Sequence, residues 1–179
     1  MSEKLEIRES RQADLAEIES LYPAAFPEEN LLPLVRDLLQ DAATAISLVA
    51  AIDLEIVGHA IFTKCGVVGT NVKAALLGPL AVAPVWQRRG IGSALVRAGF
   101  RRLEDADVGR VYVLGDPAYY GRFGFQPESS VEPPFPFPPD LPPEWDGAWQ
   151  SQNLGETTTP CAGQLSVPPP WLKPVLWAP

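Results

Sequence analysis

The sequence predicts a mixed α/β (α+β) fold, and three observations lead to that class. The first 127 residues alternate between apolar patterns of period two, which are typical of strands, and patterns with helical spacing. A strand at Lys73–Val82, a helix at Gly90–Asp105 and a strand at Arg110–Leu114 form a βαβ-type unit, so the two strands should be parallel neighbours. The chain of 179 residues is 46% hydrophobic and 20% charged, a composition that supports one globular core.

One strand and two helices are predicted in the first part of the chain. Leu5–Arg8 alternates between apolar and polar residues, as a half-buried strand does. We expect Ser10 to cap a helix that begins near Arg11, and the prolines at Pro23–Pro27 to end it. A second helix is predicted over Asn30–Asp41, because apolar residues recur there on one side.

Three strands follow these helices in the prediction. Ile46–Ile52 is apolar and β-branched, and a turn at Asp53–Glu55 leads to a returning strand at Ile56–Thr63. After a glycine-containing loop comes the strand Lys73–Val82. This strand contains Gly78-Pro79, a pair that marks a bulge, an edge or an end of strand pairing.

The last third of the chain differs in composition. Fourteen of the 20 prolines and four of the five tryptophans lie from Pro127 onward. Proline alone suggests a disordered linker, but disordered segments are poor in aromatic residues. We therefore predict a core at 1–127 and an ordered extension at 128–179 that completes the sheet of the same domain, with strands near Ala148–Leu154 and Cys161–Val167.

Charge and cysteine content argue against several classes of protein. The net charge is −8 and the pI about 4.6, so a nucleic acid is not expected as a partner. The N-terminus has no apolar core of signal-peptide length, and no segment has the apolar length of a membrane span. With only Cys65, Cys161 and one histidine, we expect a cytoplasmic location and no metal site.

The stretch from Gln87 to Ser93 carries the strongest chemical signal. A strand ends, two arginines follow, and two glycines open a helix. Amides at a helix N-terminus are unpaired and, with the helix dipole, bind anions, while Gly90 and Gly92 allow a phosphate to approach the backbone. The stretch lacks the Gly-Lys-Ser/Thr ending of a P-loop, and it lacks the third glycine or alanine of the dinucleotide fingerprint, whose place Leu95 takes.

Two motifs resemble those of a known superfamily. Gln87–Gly92 (QRRGIG) resembles the Q/R-x-x-G-x-G/A signature of the GNAT superfamily of N-acetyltransferases, and Tyr120–Phe125 (YGRFGF) resembles its Tyr-x-x-x-Gly-Phe segment. The chain is similar to a bacterial subgroup of predicted N-acetyltransferases, over roughly residues 5–127. The two motifs stand in the expected order, with a helix and a strand between them.

The resemblance implies a mixed, mostly antiparallel central sheet with helices on both faces and a splayed, bulged central strand pair near Gly78–Leu80. It implies acetyl-CoA as the co-substrate, with pantetheine against the backbone of Leu80–Val82 and pyrophosphate on the amides of Arg88–Ser93. The cofactor-binding residues expected on this basis are Leu80, Ala81, Val82, Gln87, Arg88, Arg89, Gly90, Ile91, Gly92, Ser93 and Tyr120.

The activity implied is transfer of an acetyl group to a primary amine by direct attack. By position, Tyr120 corresponds to the tyrosine that protonates the leaving thiolate, a step that a phenol can perform. Tyr119 is its neighbour, but the four-residue step to Gly124 favours Tyr120. The alternative is that both tyrosines only pack against the cofactor or the core.

The sequence offers several candidates for the general base. Relatives often use a glutamate on the strand that corresponds to Lys73–Val82, and this stretch holds no carboxylate. Glu28, Glu29 and His59 are the candidates for contact with the acceptor. Their alternatives are a solvated helix start for the glutamates and a half-buried strand residue for His59. Backbone carbonyls with an ordered water are a further alternative, and Asp116 is interpreted as a cap or turn residue.

The acceptor is expected to be a small-molecule or peptide amine. A different class of function is a non-catalytic module that binds acyl-CoA as a sensor. The lack of a carboxylate on the predicted strand Lys73–Val82 supports this alternative. The Pro/Trp-rich extension has three alternatives: a wall of the acceptor pocket, a homodimer surface, or a lid over the sheet.

Overall fold

The computed structural model describes residues 2–156 and 159–178 and shows a mixed α/β fold with mostly antiparallel strand pairing, as predicted. The chain divides into two compact units. The first comprises Met1–Phe62 and Gly78–Arg101, and the second comprises Thr63–Leu77 and Arg102–Pro179.

The strands of the first unit begin with an antiparallel pair. β1 (Leu5–Glu9) pairs with β2 (Ala45–Ile52), so that Leu5 lies opposite Ile52. β2 is followed by β3 (Glu55–Val67), which runs on into the second unit. Asp53 and Leu54 both have positive φ angles, 49° and 75°, as the central residues of a two-residue hairpin turn often do. β4 (Lys73–Val82) contributes its second half to this unit.

Three helices belong to the first unit. They are α1 (Leu15–Ala25), α2 (Leu32–Leu39) and α3 (Ile91–Asp105), the last of which passes into the second unit after Arg101. The ion pair from Arg36 Nε to Glu19 Oε1, at 2.6 Å, joins α2 to α1.

The start and end of α1 differ from our predictions. Ser10 does not cap the helix: a short 3₁₀ helix at Gln12–Asp14 precedes α1, and the Asp14 carboxylate accepts from the amide of Arg11 at 2.7 Å. Pro23 lies inside α1 rather than ending it. Because Pro23 stands in the last turn, the missing N–H removes only one hydrogen bond near the helix end.

The second unit is built on a parallel pair. The first half of β4 runs parallel to β5 (Arg110–Leu114), with Ala74 opposite Arg110 and Leu77 opposite Val113. This confirms the predicted parallel neighbours. The ladder with β5 covers Ala74–Leu77 and stops before Gly78, although β4 itself continues to Val82.

The C-terminal extension adds strands to the second unit. β8 (Trp149–Asn153) is antiparallel to β5, and β6 (Gln126–Pro127) is antiparallel to β8. β9 (Gly163–Ser166) is antiparallel to the end of β3 and parallel to β7 (Val131–Glu132). β8 and β9 lie within the two segments predicted to be strands. Residues 157, 158 and 179 of the predicted extension lie outside the described residues.

Three buried tryptophans order this extension. The indole of Trp149 donates to the carbonyl of Val131 at 2.7 Å, that of Trp177 to the carbonyl of Trp171 at 2.9 Å, and that of Trp171 to Thr63 Oγ1 at 3.1 Å. Buried indoles with satisfied N–H groups stabilise a fixed packing. Within residues 2–156 and 159–178, no helix has the length and apolar character that crossing a bilayer requires.

Candidate active site

The turn that leads from β4 into α3 is held at both ends by hydrogen bonds. The amide of Ala83 donates to the carbonyl of Val57 at 2.8 Å, which fixes the exit from β4. After a 3₁₀ helix at Pro84–Trp86, the Gln87 side chain reaches back, and its Nε2 donates to the Val82 carbonyl at 3.0 Å. The turn is thus tied to the strand that precedes it.

Left-handed backbone shapes this turn. Arg88 has a φ of 63° and Gly90 a φ of 82°, and a left-handed φ is free of strain only for glycine. A Cβ built on Gly90 would meet no atom within 4 Å, so the space beside this residue is open. The amide of Ala94 bonds to the carbonyl of Gly90 at 3.0 Å. The amides of Ile91, Gly92 and Ser93 therefore precede the first helical bond.

Two arginines add positive charge at this turn. Arg88 and Arg89 are both exposed, and the Arg89 guanidinium lies 4.8 Å from the centre of the Trp86 ring. Among the described residues neither arginine forms an ion pair. Unpaired helix amides beside two unpaired guanidinium groups form an arrangement that binds a phosphate anion.

The side chains at the end of β4 alternate between two degrees of burial. Leu80 and Val82 are half-buried, and Ala81 is buried. The carbonyl of Val82 already accepts a hydrogen bond from Gln87. The Gln87 side chain therefore links the turn to the end of β4.

A second cluster of predicted residues lies in the second unit, at the turn after β5. Asp116 accepts from the amide of Ala118 at 2.9 Å and so caps α4 (Pro117–Tyr120), which agrees with its interpretation as a cap. The ring of Tyr120 packs edge-on against Tyr119 at 5.0 Å and Phe125 at 5.8 Å between ring centres. A Cβ on Gly115 would collide with the Tyr120 ring, so this glycine permits the close packing.

The hydroxyl of Tyr120 makes no hydrogen bond with any residue that the structure describes. Burial raises its pKa above the ordinary value, and the nearby Tyr119 and Asp116 act in the same direction. The pKa of Tyr119 is also raised by burial, but the Arg122 guanidinium, 4.7 Å from its ring centre, opposes the rise. Tyr120 thus holds a proton firmly, and none of the described residues is bonded to its hydroxyl to receive that proton.

His59 is a buried residue of β3 in this structure. Its side chain is 0% exposed, and both ring nitrogens have partners: Nδ1 lies 2.6 Å from the Tyr22 hydroxyl and Nε2 lies 2.7 Å from Ser47 Oγ. Burial lowers the pKa of His59 to about 3. These contacts favour the alternative interpretation of His59 as a satisfied strand residue over direct contact with an acceptor.

A cavity of about 260 Å³ lies between α1 and α2. Tyr22, Phe26 and Leu31 are among the apolar residues that line it, together with Glu28 and Glu29. Both glutamates are exposed, and among the described residues neither forms an ion pair. The structure therefore brings Glu28 and Glu29 to one cavity, whereas His59 lies behind Tyr22.

The sequence analysis missed Tyr22, Ser47 and Gly115 as residues of interest. Tyr22 continues the apolar spacing of α1, which marks it only as a core residue, and nothing in the spacing of Ser47 connects it to position 59. The role of Gly115 depends on the Tyr120 ring that packs against it, and the position of Gly115 next to Asp116 does not indicate this contact.

The fold is that of a mixed α/β protein in which unpaired amides and two arginines occur together at the start of a helix. The model of the Acetyltransferase (GNAT) family matches residues 15–125. The chain belongs to this acetyltransferase family, which confirms the resemblance noted from the two motifs.

Relatives and solved structures agree with this assignment. The chain is 34% identical over 147 residues to the uncharacterized N-acetyltransferase YjhQ of Escherichia coli (strain K12), covering 80% of this chain and 81% of YjhQ. It is 32% identical over 121 residues to the uncharacterized N-acetyltransferase YhbS of the same organism, covering 67% and 72%.

The crystal structure of Escherichia coli YhbS in complex with CoA matches with a TM-score of 0.84 and 25% identity, over 97% of this chain and 94% of that one. A Brucella melitensis GNAT family acetyltransferase in complex with acetyl-CoA matches with a TM-score of 0.73 and 28% identity, over 94% and 99%.

Proposed function

We propose that this protein transfers the acetyl group of acetyl-CoA to a primary amine by direct attack of the amine. The observation that carries the proposal is the turn at Gln87–Ser93, where unpaired helix amides lie beside Arg88 and Arg89. Support comes from two similar proteins that were crystallised with CoA or acetyl-CoA.

The residues of the turn fit the diphosphate of CoA. The amides from Arg88 to Ser93 would hold the pyrophosphate, and the open space beside Gly90 leaves room for it. Leu80 and Ala81 would pair with the pantetheine arm through their backbone. Val82 would bind the pantetheine arm through its amide, because its carbonyl already accepts a hydrogen bond from Gln87. The Val82 carbonyl would become available only if the Gln87 side chain moved away.

Tyr120 is the proposed general acid. Acetyl-CoA supplies the acetyl group as a thioester, whose sulfur must gain a proton when it leaves. The raised pKa of Tyr120 keeps its phenol protonated at neutral pH, and its hydroxyl has no hydrogen-bond partner among the described residues that would compete for the proton. In the proposed step, Tyr120 Oη donates its proton to that sulfur.

The cavity between α1 and α2 is the proposed site of the acceptor amine. Its volume of about 260 Å³ suits a small molecule better than a peptide. The unpaired carboxylates of Glu28 and Glu29 would attract a cationic amine, and the apolar wall would pack against the rest of the molecule. The cytoplasmic location and the homodimer stay predictions.

One observation favours a second candidate, a module that binds acyl-CoA without turnover. β4 carries no carboxylate along Lys73–Val82, so the direct base that an amine would use is absent from this strand. Turnover separates the two candidates, because a sensor binds CoA and releases no thiol.

The test combines CoA affinity with thiol release across a panel of amines. Gly90→Ala adds a Cβ in the open space beside residue 90, where the diphosphate is proposed to lie, so we expect the Kd for CoA, measured by calorimetry, to rise at least about tenfold. Gly69→Ala is the matched control, because Gly69 also has a positive φ, 78°, and also has no atom within 4 Å of the added Cβ. It should show the same backbone strain and an unchanged Kd. Equal affinities of the two variants would refute the phosphate assignment.

A further inference from the structure

Four side chains of the first unit form a hydrogen-bonded chain that the proposed mechanism does not use. The Tyr22 hydroxyl lies 2.6 Å from His59 Nδ1, and His59 Nε2 lies 2.7 Å from Ser47 Oγ. Ser47 Oγ in turn lies 2.7 Å from Ser10 Oγ. These hydrogen-bonded side chains thus join α1, β3, β2 and the residue after β1.

The two ends of this chain have different surroundings. Tyr22 is 1% exposed and lines the cavity between α1 and α2. His59 is 0% exposed, whereas Ser47 and Ser10 are half-buried. The chain therefore leads from the cavity wall, through the buried face of the sheet, to groups that reach solvent.

Every member of the chain can both accept and donate a proton. A phenol, a neutral imidazole and two hydroxyls all have this property, whereas an imidazolium can only donate. The lowered pKa of His59 keeps its ring neutral at working pH. Asp14 is the charged group that acts on His59, and it is itself paired with Arg8 at 2.7 Å.

A cationic amine must lose one proton before its lone pair can attack the thioester, and β4 offers no carboxylate to take that proton. We propose that the chain Tyr22–His59–Ser47–Ser10 carries this proton from the acceptor cavity to solvent. The inference rests on the proposed function, since it needs an amine acceptor in that cavity.

The proposed transfer is balanced in atoms and charge. The amine N–H bond breaks as Tyr22 Oη accepts the proton, and the original Tyr22 proton passes to His59 Nδ1. In the structure Ser10 Oγ donates to Ser47 Oγ, so the two serine hydroxyls must first rotate. The proton on His59 Nε2 then passes to Ser47 Oγ, a proton of Ser47 passes to Ser10, and Ser10 releases one to water. After the transfer the imidazole carries its proton on Nδ1, so the ring must exchange that proton with water and regain one on Nε2 before the next turnover. Rotation of the hydroxyls completes the return to the starting state.

Ser47→Ala is the most informative variant, because Ser47 is not among the residues lining the cavity. Thiol release by the wild type and the variant is measured from pH 6 to pH 10 with the best amine of the panel. We expect kcat at pH 7 to fall at least about tenfold, since a proton-transfer group contributes on the order of 10²-fold or more. The loss should shrink toward pH 10, where hydroxide takes the proton. Ser47→Thr keeps the hydroxyl and should retain the wild-type profile.

Tyr22→Phe cuts the chain at its other end and should give the same profile. Tyr112→Phe is its control, because Tyr112 is also a buried tyrosine and its hydroxyl has no hydrogen-bond partner among the described residues. CoA-induced thermal shifts verify that each variant is folded. A Ser47→Ala variant with wild-type kcat at pH 7, or a loss that is equal at all pH values, overturns the proton path. Absence of thiol release by the wild type despite CoA binding instead refutes the proposed function itself.

Discussion

Tyr22 of α1 is buried and Tyr120 of α4 is half-buried, and the two tyrosines also differ in bonding. Burial raises the pKa of both phenols above the ordinary tyrosine value. Yet the Tyr22 hydroxyl is bonded to His59 at 2.6 Å, whereas the Tyr120 hydroxyl makes no hydrogen bond with the described residues.

The difference shows that the direction of a pKa shift does not by itself assign a role to a tyrosine. A phenol bonded to a neutral imidazole can pass its proton onward within the protein. A phenol without an internal partner keeps its proton until another molecule accepts it. The first arrangement suits removal of a proton from the amine, and the second suits donation to the leaving sulfur.

The largest expected effect separates Tyr120 from its neighbour. Tyr120→Phe removes the proposed proton donor and keeps the ring, so kcat for thiol release should fall about 100-fold or more while the Kd for CoA changes less than about twofold. Tyr119→Phe is the matched control and should retain most of the activity. Equal losses in both variants would contradict the assignment of the acid to Tyr120.

A smaller effect is expected when the ring of Tyr120 is displaced. Gly115→Ala adds a Cβ that collides with this ring, and because proton transfer depends on position, kcat should fall about tenfold. Gly121→Ala is the control, because its added Cβ meets no atom within 4 Å. Steady-state kinetics of the two variants, with melting temperatures as a check of folding, test this prediction. Wild-type kcat in Gly115→Ala would show that the ring position is unimportant.

The smallest effect concerns stability and tests the difference in bonding directly. Tyr22→Phe leaves His59 Nδ1 buried without its partner, so the free energy of unfolding should fall by about 1–3 kcal/mol. Tyr120→Phe removes a hydroxyl that has no hydrogen-bond partner among the described residues, and the free energy should change by less than about 0.5 kcal/mol. Urea denaturation of both variants measures the difference. A loss as large in Tyr120→Phe as in Tyr22→Phe would indicate an equally strong bond at Tyr120.

Local patterns predicted much of the fold and the turn that leads from β4 into α3. The parallel neighbours β4 and β5 followed from the strand–helix–strand order, because such a crossover pairs strands in parallel. The strands of the extension were predicted because tryptophans accompany its prolines. The prediction that Ser10 caps α1 was wrong, because a cap depends on which side chain reaches the first amides, and here it is the Asp14 carboxylate. The prediction that Pro23 ends α1 was wrong, because a proline is tolerated near the end of a helix.

The sequence by itself determined the family, through its two motifs, and the local form of the turn at Gln87–Ser93, because left-handed glycine, free helix amides and neighbouring arginines all arise within a few residues. Only the tertiary structure decided which distant side chains meet. Tyr22 and Ser47 contact His59 from positions 37 and 12 residues away, and Gly115 makes room for the Tyr120 ring. Such contacts depend on how helices pack on strands, and the spacing of residues along the chain does not record that packing.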